Sequence, residues 1–207
     1  MEIKDLIQNK TSNDKVINKI IDIEWTMFDN VKGIDGRAFC QDDARTFYIM
    51  RYSNFCARSE RTNRSYLADL QEADREERNL LMEKYAYMME YSDPAYYYDV
   101  LEPKLPRANA EKMGNIQKII DMERKQNEAF AREYPKLASR MRPVKDNENG
   151  ETSLSTYSLG EYKTYSGETI ALLLGDMLAD HDMLIKQQTV TVRFYGYESI
   201  EAAEQDI

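Results

Sequence analysis

One carboxylate stands where an amphipathic helix should carry only apolar side chains. From Asp14 to Val31, Ile17, Ile20, Ile21, Met27, Phe28 and Val31 fall on one stripe. Glu24 occupies the gap at its centre, one turn from Ile20, Ile21, Met27 and Phe28. A carboxylate placed there needs a cation, a hydrogen-bonding network or a proton. Similar interruptions recur along the chain. Arg51 lies among Phe47, Tyr48 and Phe55. Glu83 and Lys84 sit in a segment that is apolar almost all round. Glu123 follows Ile116, Ile119 and Ile120, and His181 lies among Leu174, Met177, Leu178, Leu184 and Ile185. Two readings fit: these groups pair with one another inside the core or reach water from stripe edges, or they line a shared polar pocket of the kind that bundle cores form. In the pocket, Glu24 and Glu83 are the acid/base or ligand-binding candidates. Arg37, Arg45 and Arg51 would orient an anionic part of the ligand.

The residue inventory excludes several established chemistries. The single histidine cannot supply the paired Glu-x-x-His motifs of a di-iron bundle. His181-Asp182 matches the metal-binding dipeptide of the HD phosphohydrolases, but the further histidines of that site are absent. Asp69-x-x-Glu72 and Glu90-x-x-Asp93 are only a faint match to the acidic motifs of all-α nucleotide pyrophosphatases. No Walker loop, GxGxxG or GxSxG occurs, and eight glycines leave little for a phosphate cradle. No metal ligands are nominated, and the cofactor is not legible. Cys40 and Cys56 form no zinc spacing and read as reduced thiols. Nine of the fifteen tyrosines gather in two groups, Tyr85 to Tyr98 and Tyr157 to Tyr165. Tyrosine suits pocket walls and bundle cores equally. Tyr85, Tyr165 and His181 complete the candidate ligand-binding set.

The elements that must position these groups are helices. Asn13 or Asp14 can cap the first, which Gly33 and Gly36 end. Asp42 or Asp43 can cap a second running to about Arg58. A third spans about 61–73. A fourth, about 77–91, continues it or follows a short break and closes at Asp93-Pro94. Asn109 caps a fifth that Pro135 ends, and a last long helix runs from about Ser166 to Gln188. Thr189 to Tyr195 alternates like a strand, which would pair with 157–165, pair across a dimer, or be helical after all. Arg140 to Thr152 reads as a surface loop. The fold expected is an all-α bundle of at least five helices in a single domain over 1–207, with a minor C-terminal β-hairpin left open.

A formal net charge of −9 opposes a phosphate backbone or an anionic lipid surface as partner. Neither a leader nor a spanning apolar run is visible, so a cytoplasmic protein without a membrane partner is expected.

Longer motifs carry a resemblance. Ile23-Glu24-Trp25-Thr26-Met27-Phe28, Gly36-Arg37-Ala38-Phe39-Cys40-Gln41-Asp42-Asp43 and Thr46-Phe47-Tyr48-Ile49-Met50-Arg51 resemble the bacterial domain of unknown function 4125 family. Asn79 to Met89 and Thr152-Ser153-x-x-Thr156-Tyr157-x-x-Gly160-Glu161-x-x-Thr164-Tyr165 are similar to its later motifs. The resemblance covers most of the chain and implies about this length and a bacterial origin, with no established activity. It also picks out Glu24, Arg51 and Glu83. Some members are joined to a nucleotidyltransferase-like domain, which implies a helical partner of such an enzyme.

The functional expectation is a helical domain with an internal pocket for a small polar or anionic ligand, with catalysis left open. The alternative is an interaction module whose polar core only fixes packing. Oligomeric state is not legible.

Overall fold

Thr11 and Asp14 start the first helix by satisfying each other's backbone. The Asp14 amide donates to Thr11 Oγ1 at 3.0 Å, and Asp14 Oδ2 accepts from the Thr11 amide at 2.8 Å. The cap is therefore Thr11, ahead of the expected Asn13 or Asp14, with Asp14 as the reciprocal partner of a capping box. In this computed structural model, which describes residues 6–32, 36–144 and 152–207, helix α1 spans Ser12–Asp29. It is followed by α2 (Ala44–Cys56, capped by Asp43), α3 (Glu60–Arg75), α4 (Leu80–Ser92), α5 (Ala110–Glu133, capped by Asn109), α6 (Leu154–Thr164), α7 (Gly167–Ala179), α8 (Met183–Phe194) and α9 (Ile200–Asp206). Single turns at Pro94–Tyr96 and Pro135–Ala138 and a π-helical turn at Tyr97–Leu101 fill connections. No strand occurs among the described residues, and the fold is all-α. Gly33 and most of the expected 140–152 loop lie outside the described residues.

One open alternative is decided and one expectation is corrected. The segment 189–195 takes the helical alternative and not a strand pairing with 157–165: the first runs in α8 to its C-cap Tyr195 and the second in α6 to its C-cap Tyr165. The alternation of threonine and valine is β-like, but Thr189 and Thr191 return their hydroxyls to the carbonyls of Ile185 and Gln187 at 2.7 and 3.0 Å. Leu184, Gln188 and Val192, at i+4 spacing, are buried. Burial of that face overrides propensity. The long helix expected from Ser166 to Gln188 is instead two. Asp180 turns extended (φ −136°, ψ 104°), and Asp182 takes the N-cap position of α8 without a side-chain cap bond. Aspartates compete with helical backbone and favour such turns. His181 thus sits in an exposed turn rather than on an apolar helix face.

Helices α3 and α8 end in the same way. After α3, the Glu77 amide donates to Asp74 O and the Arg78 amide to Ala73 O at 2.8 Å. After α8, the Gly196 amide donates to Arg193 O and the Tyr197 amide to Val192 O. Both are Schellman motifs, which need a left-handed residue. Gly196 supplies it at φ 95°, while the first motif places Glu77 there at φ 57°.

The chain forms two compact units. The first comprises Met1–Met82 and Asp182–Asp206. In it α1 packs on α2 and α3, and α8 packs on α2, with Ile17, Ile20, Ile49, Phe55 and Leu70 fully buried. Phe194 meets the rings of Tyr48 and Tyr52 edge-on. The second unit is Glu83–His181 with the terminal Ile207, and in it α5 packs on α6 and α7 around Ile116, Ile119 and Ile170. Gly160 lets α6 approach α4 closely, since a Cβ there would lie 2.8 Å from Lys84 O and 2.7 Å from Met88 Cγ.

Candidate functional site

In the first unit, Glu24 has no solvent exposure and is fully engaged. Arg51 Nε donates to Oε2 at 2.7 Å and Nη2 to Oε1 at 2.5 Å, a bidentate pair. The Tyr66 hydroxyl donates to Oε1 at 2.8 Å. The guanidinium lies 4.7 Å from the Phe55 ring centroid, and Phe55 stacks on Tyr66. The stripe's gap is real, and a closed network fills it.

Arg37 is a strap. Its Nε donates to Asp42, Nη2 to Asp29 Oδ1 and to Gln41 O, and Nη1 to Asp29 O. Gln41 is buried, and its amide donates to the carbonyls of Phe28 and Val31 at 2.7 and 3.0 Å. Together they tie off the C-terminus of α1. Arg45 lies 5.6 Å from the Tyr195 ring centroid.

A second closed centre lies in the second unit. Lys84 is 2% exposed, donates to Glu161 Oε2 at 2.6 Å and sits 3.4 Å from the Tyr157 ring centroid. Glu161 Oε1 accepts from the Tyr165 hydroxyl at 2.7 Å. Glu161 was not legible as a candidate. Its signals are its place in the Gly160-Glu161 motif and its i+4 spacing from both Tyr157 and Tyr165. Glu123, flagged by its apolar stripe, accepts from the Tyr162 hydroxyl. Glu83 and Tyr85 lie half-buried on α4.

The eight nominated residues divide between the units: Glu24, Arg37, Arg45 and Arg51 in the first, Glu83, Tyr85, Tyr165 and His181 in the second. Of the first four, the structure brings together Glu24 and Arg51.

The second unit also holds a cavity of about 420 Å³, within the range of small-ligand sites. Tyr87, Tyr97, Leu105, Pro106 and Met113 supply its apolar and aromatic surface, and Glu102, Arg107 and Lys163 its charges. Sequence reasoning missed it because three separate segments converge to form it. Only the tyrosine cluster around 85–98 pointed there. Tyr97 opens the π-helical turn, a distortion frequent at functional sites. It is 4% exposed, and none of the hydrogen bonds among the described residues engages its hydroxyl. Burial pushes its phenol up to about 12, with Glu90 and Glu102 adding to the effect, so it remains a neutral donor. The Tyr87 hydroxyl donates to Pro106 O at 2.5 Å and fixes the opposite wall. Lys163 donates to Glu90 Oε2 at 2.6 Å. Burial opposes the charge on Glu90, but the bonds from Lys163 and Tyr98 outweigh it and hold the carboxyl below its usual range.

Among the described residues no group of three or more His, Cys, Asp or Glu side chains could hold a metal ion. No helix among them is long and apolar enough to cross a membrane. The chain belongs to the family described as protein of unknown function DUF4125, whose model matches residues 14–205. No curated protein and no solved structure matches it.

Proposed function

We propose that this domain binds a small polar ligand in the cavity beside Tyr97, and that Glu24 is a structural group. The observation that carries the reading is the cavity itself, with a buried, unengaged phenol on a π-helical turn in its wall. Polar groups converging on an otherwise apolar concavity are what orient small ligands. The carboxylate first nominated for acid/base chemistry is committed to Arg51 and Tyr66. Ligand binding therefore has better support than catalysis at Glu24.

A thermal-shift screen against nucleotides, amino acids, phosphorylated metabolites and small carboxylates tests this. A ligand at a hundred times its dissociation constant adds about 2.7 kcal/mol to the native state. The expected result is a class of compounds that raises Tm of the wild type but not of Ala108→Trp, which fills the cavity. Stabilisation by none of them, or equally in both proteins, overturns it.

The closed centres at Glu24 and Lys84 favour a second reading, an interaction module that positions a partner such as a nucleotidyltransferase-like domain. A protein whose polar core only fixes packing binds nothing in the screen and still captures that domain. A lack of nucleic-acid partners follows from the charge and, with a cytoplasmic location, is part of the same proposal.

A further inference from the structure

We propose that the cavity beside Tyr97 takes an amphipathic oxyanion, with a carboxylate, sulfonate or phosphate held by Lys163 and Tyr97 and an apolar body laid on Tyr87, Leu105, Pro106 and Met113. This rests on the ligand-binding reading above and names the chemistry of that site.

The argument is a count of donors against acceptors. An ammonium has three protons, and Glu90 takes one from Lys163. A phenol contributes another, and no hydrogen bond among the described residues uses that of Tyr97. Arg107 is 80% exposed at the rim, and among the described residues its five N–H groups meet only the Glu102 carboxylate. Two acids stand against these donors. Glu90 is held by Lys163 and Tyr98, and Glu102 by Arg107. A carboxylate has about four lone-pair sites, so acceptors remain on both. Glu90 is not part of the cavity lining, however, and in the wall itself the free protons of Lys163, Tyr97 and Arg107 outnumber the free acceptors of Glu102. A ligand that satisfies this surplus of donors must bring acceptors, and an oxyanion brings the most per atom. Ala108 and Met113 flank the start of the 24-residue helix α5, whose positive end adds in the same direction. The body of the ligand follows from the remaining wall: two tyrosine rings, a leucine, a proline and a methionine offer dispersion contacts and no further charge.

The test uses two dyes with one aromatic body. 8-Anilinonaphthalene-1-sulfonate carries the oxyanion, and N-phenyl-1-naphthylamine lacks it. Both are titrated by fluorescence into the full chain and into Lys163→Met, Arg107→Ala and Ala108→Trp. Far-UV circular dichroism checks each fold. Glu90 is partly exposed and can rehydrate when Lys163 is removed, and the rim position of Arg107 makes its replacement safe for folding.

The expected result is saturable binding of the sulfonate, about tenfold tighter than the neutral dye, as one charge-assisted bond supplies. Lys163→Met should cost the sulfonate about tenfold and leave the neutral dye unchanged. Arg107→Ala should cost it roughly threefold, as an exposed charge does, and Ala108→Trp should abolish both. Equal affinity for the two dyes, or no selective effect of Lys163→Met, overturns the oxyanion while the cavity still stands as a binding site. Saturable binding of neither dye, or binding untouched by Ala108→Trp, overturns the cavity as well.

Discussion

Arg51 grips both oxygens of Glu24, one through Nε and one through Nη2, across a separation of 27 residues. The arrangement decides between two outcomes of one substitution. A carboxylate facing an open pocket tolerates conversion to amide, whereas one that balances a buried cation does not. Glu24→Gln should therefore destabilise the protein by roughly 3–5 kcal/mol, since Arg51 is left largely buried and uncompensated. Replacing the whole group, as in Glu24→Met/Arg51→Met/Tyr66→Phe, should cost less than the single change, because no polar group is stranded. Urea unfolding of the two variants checks this. A single variant as stable as wild type would return Glu24 to the list of functional carboxylates.

Acid should act on the first unit through Asp14. Burial works against its charge. The bonds from the Tyr52 hydroxyl and from the Thr11 and Lys10 amides overcome that penalty and hold its pKa below the ordinary 3.8. A group lowered on folding stabilises the native state above its unfolded value. That contribution is lost as pH falls from the ordinary value through the lowered one. Asp14→Asn should flatten the acid limb below about pH 4. Urea midpoints measured from pH 2 to 7 for both proteins give the answer.

Glu77 offers an opposite kind of test. It holds a left-handed conformation that Gly196 adopts freely in the equivalent motif. Glu77→Gly should gain roughly 0.5–1 kcal/mol, the left-handed penalty less the entropy a glycine loses on folding. Calorimetry should show Tm rising by about 2–4 °C per kcal/mol in a chain of this size.

Gly160→Ala should be destabilising by about 1–3 kcal/mol, the usual cost of overpacking. The Met88 side chain can swing aside, but the Lys84 carbonyl belongs to the α4 backbone and cannot. A melting temperature equal to wild type would show that α4 and α6 separate more easily than this contact implies.

Duplex DNA and RNA should bind negligibly at physiological salt, given a formal net charge of −9. Affinity that falls steeply as salt is added, read by fluorescence anisotropy, contradicts this.

What the sequence made legible was local. Glu24 and Arg51 each interrupt an apolar stripe, and a stripe with a hole can be read without coordinates. That they meet each other, with Tyr66 as third member, depends on how α1, α2 and α3 pack. Helix caps at Asp43 and Asn109 and the start near Ser166 were legible because a cap acts within three residues. The α8 segment was not, because alternating Thr and Val satisfy a strand pattern and a helix face at once, and packing chose the helix. The cavity was least legible of all. Tyr97, Pro106 and Lys163 lie far apart in the chain, and no periodicity links them.

The first unit is discontinuous, and this orders events at synthesis. Its last helix against α2, α8, is encoded after the whole of the second unit. When α1 to α3 leave the ribosome, the faces of Tyr48 and Tyr52 that Phe194 later covers stay uncovered while about a hundred further residues are translated, several seconds or more at ordinary elongation rates. The second unit, contiguous from Glu83 to His181, has no such wait. A nascent chain stalled before α8 would thus present a finished second unit and a first one with its aromatic seam open to chaperones.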